Sequence, residues 1–86
     1  MDREKLKDRV REKVRQHAPA AIDVARDILE NPETGFREVR TAGLAAQWFT
    51  SLGLPHRDEL AITGVRADLA GGAPGPRVAV MGELDS

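Results

Sequence analysis

The sequence contains no cysteine and no tyrosine, only two histidines, and three aromatic residues: Phe36, Trp48 and Phe49. Without cysteine there is no disulfide staple and no Cys/His cluster to nucleate a fold around a metal. Stability must then come from apolar packing, among these residues or against further polypeptide. So few aromatics leave no stacking platform for bases. An excess of charge of one sign is missing too, since 13 basic and 14 acidic side chains leave a formal charge of −1. That balance gives no long-range attraction to nucleic acid or to an anionic membrane. Nor is there a long hydrophobic run. Met1-Asp2-Arg3-Glu4-Lys5 leads into more charge, whereas a secretory signal needs an apolar stretch and a membrane helix needs about 20 apolar residues. A cytoplasmic location is the expectation, and the missing cysteines agree with it.

What is present is the composition of a folded chain, 41% hydrophobic and 31% charged, within a length that allows one small domain. The charge is uneven. Residues 1–40 hold ten Lys/Arg and nine Asp/Glu, and residues 41–86 hold three and five. The first half therefore reads as exposed helix and the second as a more buried α/β segment.

From Asp2 to Glu30, Leu6, Val10, Val14, Ala18, Ile22, Ala25 and Leu29 recur at steps of three and four, one stripe of an α-helix. Glu4/Lys7, Asp8/Arg11 and Glu12/Arg15 are opposite charges three apart that support a solvated face. Pro19 either kinks this helix or opens a second one. Asn31-Pro32 ends it, because proline disfavours helical geometry in the residue before it. A further helix is expected from about Glu38 to Leu52, lined by Ala42, Ala45, Ala46, Phe49 and Leu52, with Gly53 as its C-terminal cap. Val65, Ala67 and Leu69 alternate with Arg66 and Asp68, the period of a half-exposed strand. Gly71-Gly72-Ala73-Pro74-Gly75-Pro76 is a connector. It lacks the lysine and Ser/Thr of a phosphate-binding loop and opens no helix. Arg77-Val78-Ala79-Val80-Met81-Gly82 is nearly continuous in apolar residues, as expected of a strand covered on both faces. Val78 and Val80 are thus expected to be more buried than Arg66 and Asp68. Such a strand wants neighbours, yet only Glu83-Leu84-Asp85-Ser86 follows it, so the domain is expected to continue beyond Ser86.

Chemistry is concentrated at that end. Glu83 and Asp85 occupy alternate positions past the apolar strand, so in extended geometry both point to one side. In open α/β sheets ligands bind outside the carboxyl ends of strands. Carboxylates there bind a hard cation, or orient a histidine that binds a softer one. The alternative is a polar loop start that binds nothing. His17 and His56 are far apart in sequence and lack companions at ligand spacing, so they read as surface or structural histidines. No Ser-His-Asp or Cys-His arrangement is present.

Three pieces, in this order and spacing, resemble the start of the aminoacylase, hippurate hydrolase and carboxypeptidase family of zinc metallopeptidases, which are amidohydrolases. They are Asn31-Pro32-Glu33-Thr34-Gly35-Phe36-Arg37-Glu38; Thr63-Gly64-Val65 running into Ala67-Asp68-Leu69; and Pro76-Arg77-Val78-Ala79-Val80-Met81-Gly82-Glu83-Leu84-Asp85. The first is similar to the family's Asn-Pro-Glu-Leu-Gly-Phe-Glu-Glu segment between two helices. There Gly35 is expected to supply a turn and Phe36 to anchor it in the core. The resemblance implies an α/β fold in which two N-terminal helices pack on the start of a mainly parallel sheet. Residues 1–86 would then be the incomplete N-terminal part of a zinc-peptidase-like catalytic domain. It also implies zinc or another divalent metal in the complete enzyme, a smaller inserted domain used for homodimerisation, and small N-acyl amino acid or peptide substrates. Glu83 falls where the family carries a metal-binding histidine or aspartate, and as a glutamate it departs from both. Asp85 falls on the aspartate that orients a metal ligand. The remaining ligands and the glutamate base are absent, so this chain alone is expected to be inactive and to bind no metal. The competing expectation is a free-standing small α/β interaction module without catalysis.

Overall fold

A computed structural model describes residues 2–86. Four elements follow in order: helix α1 (Arg3–Glu30), helix α2 (Val39–Ser51), strand β1 (His56–Leu60) and strand β2 (Gly64–Ala67). They fall into two compact units, residues 1–31 and residues 32–86.

The first unit is α1. Asp2 caps it in extended backbone geometry, its carboxylate accepting from the Lys5 N–H at 2.8 Å, which satisfies one of the unpaired amides of a first turn. Ion pairs three residues apart lie along the exposed surface: Lys7–Glu4 at 3.7 Å, Arg11–Asp8 at 3.0 Å, Arg15–Glu12 at 3.4 Å and Arg26–Asp23 at 3.9 Å. Pro19 lies inside one continuous helix and does not start a second. The stop at Asn31 is local. The Asn31 side-chain amide donates to the Asp27 carbonyl at 2.9 Å and its backbone N–H to the Ile28 carbonyl at 3.1 Å. No residue of α1 is buried, and Leu6, Val10, Val14, Ile22 and Leu29 are exposed.

In the second unit, α2 packs on both strands of an antiparallel hairpin. Its end follows the sequence closely. Gly53 takes a positive φ of 70°, the Leu54 N–H reaches the Phe49 carbonyl at 2.9 Å, and the Gly53 N–H reaches the Thr50 carbonyl at 3.0 Å. These are the paired bonds of a Schellman cap. In the hairpin, Arg57 pairs with Arg66 and Leu60 with Gly64, leaving Asp58 and Glu59 opposite Val65 alone. That is a β-bulge, and Glu59 takes up the extra residue at φ 55°. Ala61 and Ile62 turn the chain at φ 47° and 84°. A side chain at Gly64 would place its Cβ 2.5 Å from the Leu60 carbonyl oxygen, so this close approach requires glycine.

Three expectations fail here. The sheet is two-stranded and antiparallel, not mainly parallel, although the α/β character holds. Residues 77–82 form no strand, and Val78 and Val80 are 83% and 97% exposed, no more buried than Arg66 and Asp68. Without a neighbouring strand, an apolar run has neither ladder partners nor a covering face. Phe36 is 67% exposed and does not anchor its turn. No hydrophobic residue among those described is buried.

Candidate functional site

The segment between α1 and α2 organises the polar part of the second unit. The Arg37 N–H donates to the Thr34 carbonyl at 3.0 Å, closing a turn over Gly35 and Phe36. The left-handed conformation of this turn falls on Phe36, at φ 62°, and not on Gly35. The reversal leaves two carboxylates facing two different neighbours.

Glu33 caps α2 from outside the helix. Its carboxylate accepts from the Arg40 N–H at 3.0 Å, from the Thr41 N–H at 2.6 Å and from the Thr41 hydroxyl at 2.7 Å. First-turn amides have no partner within the helix, and an anion there also meets the positive end of the helix dipole. The Thr41 hydroxyl, then the Arg40 amide, hold the Glu33 carboxyl below its ordinary value against a smaller opposing effect of burial. Thr41 itself is buried.

Glu38 occupies the N-cap position without capping through its side chain. The buried Glu38 carboxylate instead accepts the Arg37 N–H at 3.0 Å and, at 3.1 Å, the hydroxyl of Thr63, which is also buried. Thr63 closes the hairpin loop, so this bond ties the start of α2 to the β1–β2 turn.

The end of the chain returns to the same place. The Ser86 N–H donates to the Glu33 carbonyl at 2.8 Å, and the Glu33 N–H donates to the Ser86 hydroxyl at 3.3 Å. The first two sequence pieces that carry the family resemblance therefore meet through Glu38 and Thr63, and Glu33 of the first bonds Ser86, the residue that follows the third. Sequence reasoning missed the pairs Glu33–Thr41 and Glu38–Thr63. A local capping rule looks only at the N-cap and the residue three further on, and Glu33 lies too far ahead of Val39 for that signal.

Glu83 and Asp85 are both exposed, and Asp85 is adjacent to the bonded Ser86. Among the described residues no three His, Cys, Asp or Glu side chains come together to hold a metal ion. Two exposed carboxylates do not supply the three or four ligands of a zinc site. The residues here therefore do not by themselves fit the metal that the resemblance implies. His56 is structural. Its Nδ1 lies 3.1 Å from the Leu54 carbonyl and its ring packs at 5.9 Å on Phe49. His17 is exposed on α1. No described helix is long and apolar enough to cross a membrane.

Comparison with known proteins finds amidohydrolases among the relatives of this chain. The chain is 35% identical over 65 residues to a Bacillus subtilis protein named as the amidohydrolase YhaA, covering 76% of this chain and 16% of that one. It is 41% identical over 63 residues to the Arabidopsis thaliana IAA-amino acid hydrolase ILR1-like 6, covering 73% of this chain and 13% of the relative. It is 35% identical over 65 residues to IAA-amino acid hydrolase ILR1-like 2 of the same plant, covering 76% and 15%. The chain thus spans about one sixth or less of the length of these relatives. No protein-family model and no solved structure matches it.

Proposed function

Because this chain belongs to the amidohydrolase family of its relatives, we propose that it is the N-terminal segment of a metal-dependent amidohydrolase acting on N-acyl amino acids or small peptides. The names of the plant relatives denote hydrolysis of an amino acid conjugate, which is the substrate chemistry proposed. The observation that carries the reading is the bonding of the first motif segment to the second, through Glu38 and Thr63, and to Ser86, whose peptide adjoins Asp85, through Glu33.

In this proposal Asp85 orients a metal ligand supplied by further polypeptide, since an orienting carboxylate fixes the ring and tautomer of a ligating histidine. Glu83 is the candidate ligand of this segment. The two carboxylates lack companions, so the 86-residue chain does not hydrolyse amides. Homodimerisation through an inserted domain and a cytoplasmic location complete the proposal.

The test assays this chain, and a polypeptide that continues in frame past Ser86, on a panel of N-acyl amino acids with zinc, manganese or cobalt. The expected result is no turnover by the chain and turnover by the longer protein. Asp85→Ala in the longer protein should lose most activity while staying folded. Turnover by the 86 residues, or an unimpaired Asp85→Ala enzyme, would overturn the assignment.

A further inference from the structure

Glu33 is bonded both to the start of α2 and to the end of the chain. Its carboxylate holds three donors on Arg40 and Thr41, which ties residue 33 to the first turn of a helix. Its backbone N–H and C=O then face Ser86 and pair with it in both directions. The Ser86 N–H belongs to the same peptide plane as the Asp85 carbonyl. Bonding that N–H therefore restricts rotation of the backbone at Asp85, and with it the directions open to the Asp85 side chain.

We propose that Glu33 is a positioning residue for Asp85, transmitting the fixed geometry of the α2 N-terminus through its own backbone to the Asp85–Ser86 peptide. The proposal rests on the assignment of Asp85 to the site of the amidohydrolase. It differs from a capping role alone. A cap needs only the carboxylate, and its loss frays only the helix. A positioning residue couples the carboxylate to a peptide 53 residues away in sequence. The contact between Glu38 and Thr63 does not involve residues 83–86 and serves as the internal control.

The experiment measures amide hydrogen exchange and the Asp85 Hα–Hβ couplings by NMR in the 86-residue chain and in Glu33→Ala, Glu33→Gln and Thr41→Val. Loss of the carboxylate is expected to speed exchange at Ser86 by about tenfold or more, together with Arg40 and Thr41. The Asp85 couplings should move from one rotamer toward an average, while the amides of β1 and β2 keep their protection. Thr41→Val, which keeps the carboxylate and removes one donor, should give a smaller change in the same direction. It also decides the matter if Glu33→Ala unfolds. Faster exchange at Arg40 and Thr41 with Ser86 and Asp85 unchanged would overturn the proposal and leave Glu33 a helix cap. In the longer enzyme, Glu33→Gln should lower kcat at nearly unchanged KM, and an unaltered kcat would overturn the catalytic part. An inactive wild-type enzyme would instead count against the amidohydrolase assignment, with the exchange result still deciding whether Glu33 positions Asp85.

Discussion

At Glu33 the balance between charge and hydrogen bonding has a definite pH consequence. The folded chain holds its carboxyl below the ordinary value of 4.5, first through the Thr41 hydroxyl and then through the Arg40 amide. A carboxyl lowered on folding stabilises the fold above its unfolded value, and that contribution is lost as pH falls through the lowered one. The first turn of α2 should therefore loosen in acid below 4.5, followed by the amide shifts of Arg40 and Thr41. Thr41→Val should move that loosening to higher pH. A wild-type transition at or above the ordinary carboxylate value would contradict the capping geometry.

The hairpin offers two single-residue tests of opposite sign. Gly64→Ala drives a Cβ into the Leu60 carbonyl at 2.5 Å, a backbone neighbour that cannot rotate away. It should destabilise the second unit by roughly 1–3 kcal/mol, read from urea melts or loss of β1–β2 amide protection. Ile62 is β-branched, exposed and at φ 84°, a conformation that disfavours L-residues by about 1–2 kcal/mol. Ile62→Gly should recover part of that and raise stability. A lower melting midpoint for Ile62→Gly would show that its side chain packs more than its exposure suggests.

At the scale of elements, what could be anticipated divides by how local each signal is. The stop of α1 at Asn31-Pro32 and the cap of α2 at Gly53 involve residues a few positions apart, and both form where expected. The charge pairs of α1 are equally local. β1 was not anticipated. His-Arg-Asp-Glu-Leu has no apolar alternation, and it is extended because β2 offers it ladder partners. Residues 77–82 err the other way, with the composition of a buried strand but no partner. Within α1, Pro19 supplies no N–H for the Arg15 carbonyl, and an interior proline costs about 3 kcal/mol. Pro19→Ala should raise helicity, measured by circular dichroism. An unchanged signal would mean that the helix already runs unbroken through Pro19 in solution.

For the whole molecule the deficit is apolar burial. No described hydrophobic residue is buried, while Val78, Val80 and Met81 are almost fully exposed. Exposed apolar chain with unpaired backbone is a template for association. The 86 residues should be weakly stable and self-associating, with apparent mass in sedimentation rising with concentration. Replacing Val78 and Val80 by lysine should suppress that association without loss of β1–β2 protection. A sharply melting monomer at all concentrations would contradict this account.

The family and the helices were legible from residue order alone, because helix caps, stripes and proline stops act over one or two turns. Glu83 and Asp85 are candidates only through their place in a motif. The direction of strand pairing, the exposure of Val78 and Val80, and the joining of Glu33 to Ser86 and of Glu38 to Thr63 were decided only by tertiary structure. Each depends on which distant backbone or side-chain group is brought within hydrogen-bond reach. Such a meeting depends on contacts along the whole path of the chain and leaves no local pattern in the sequence.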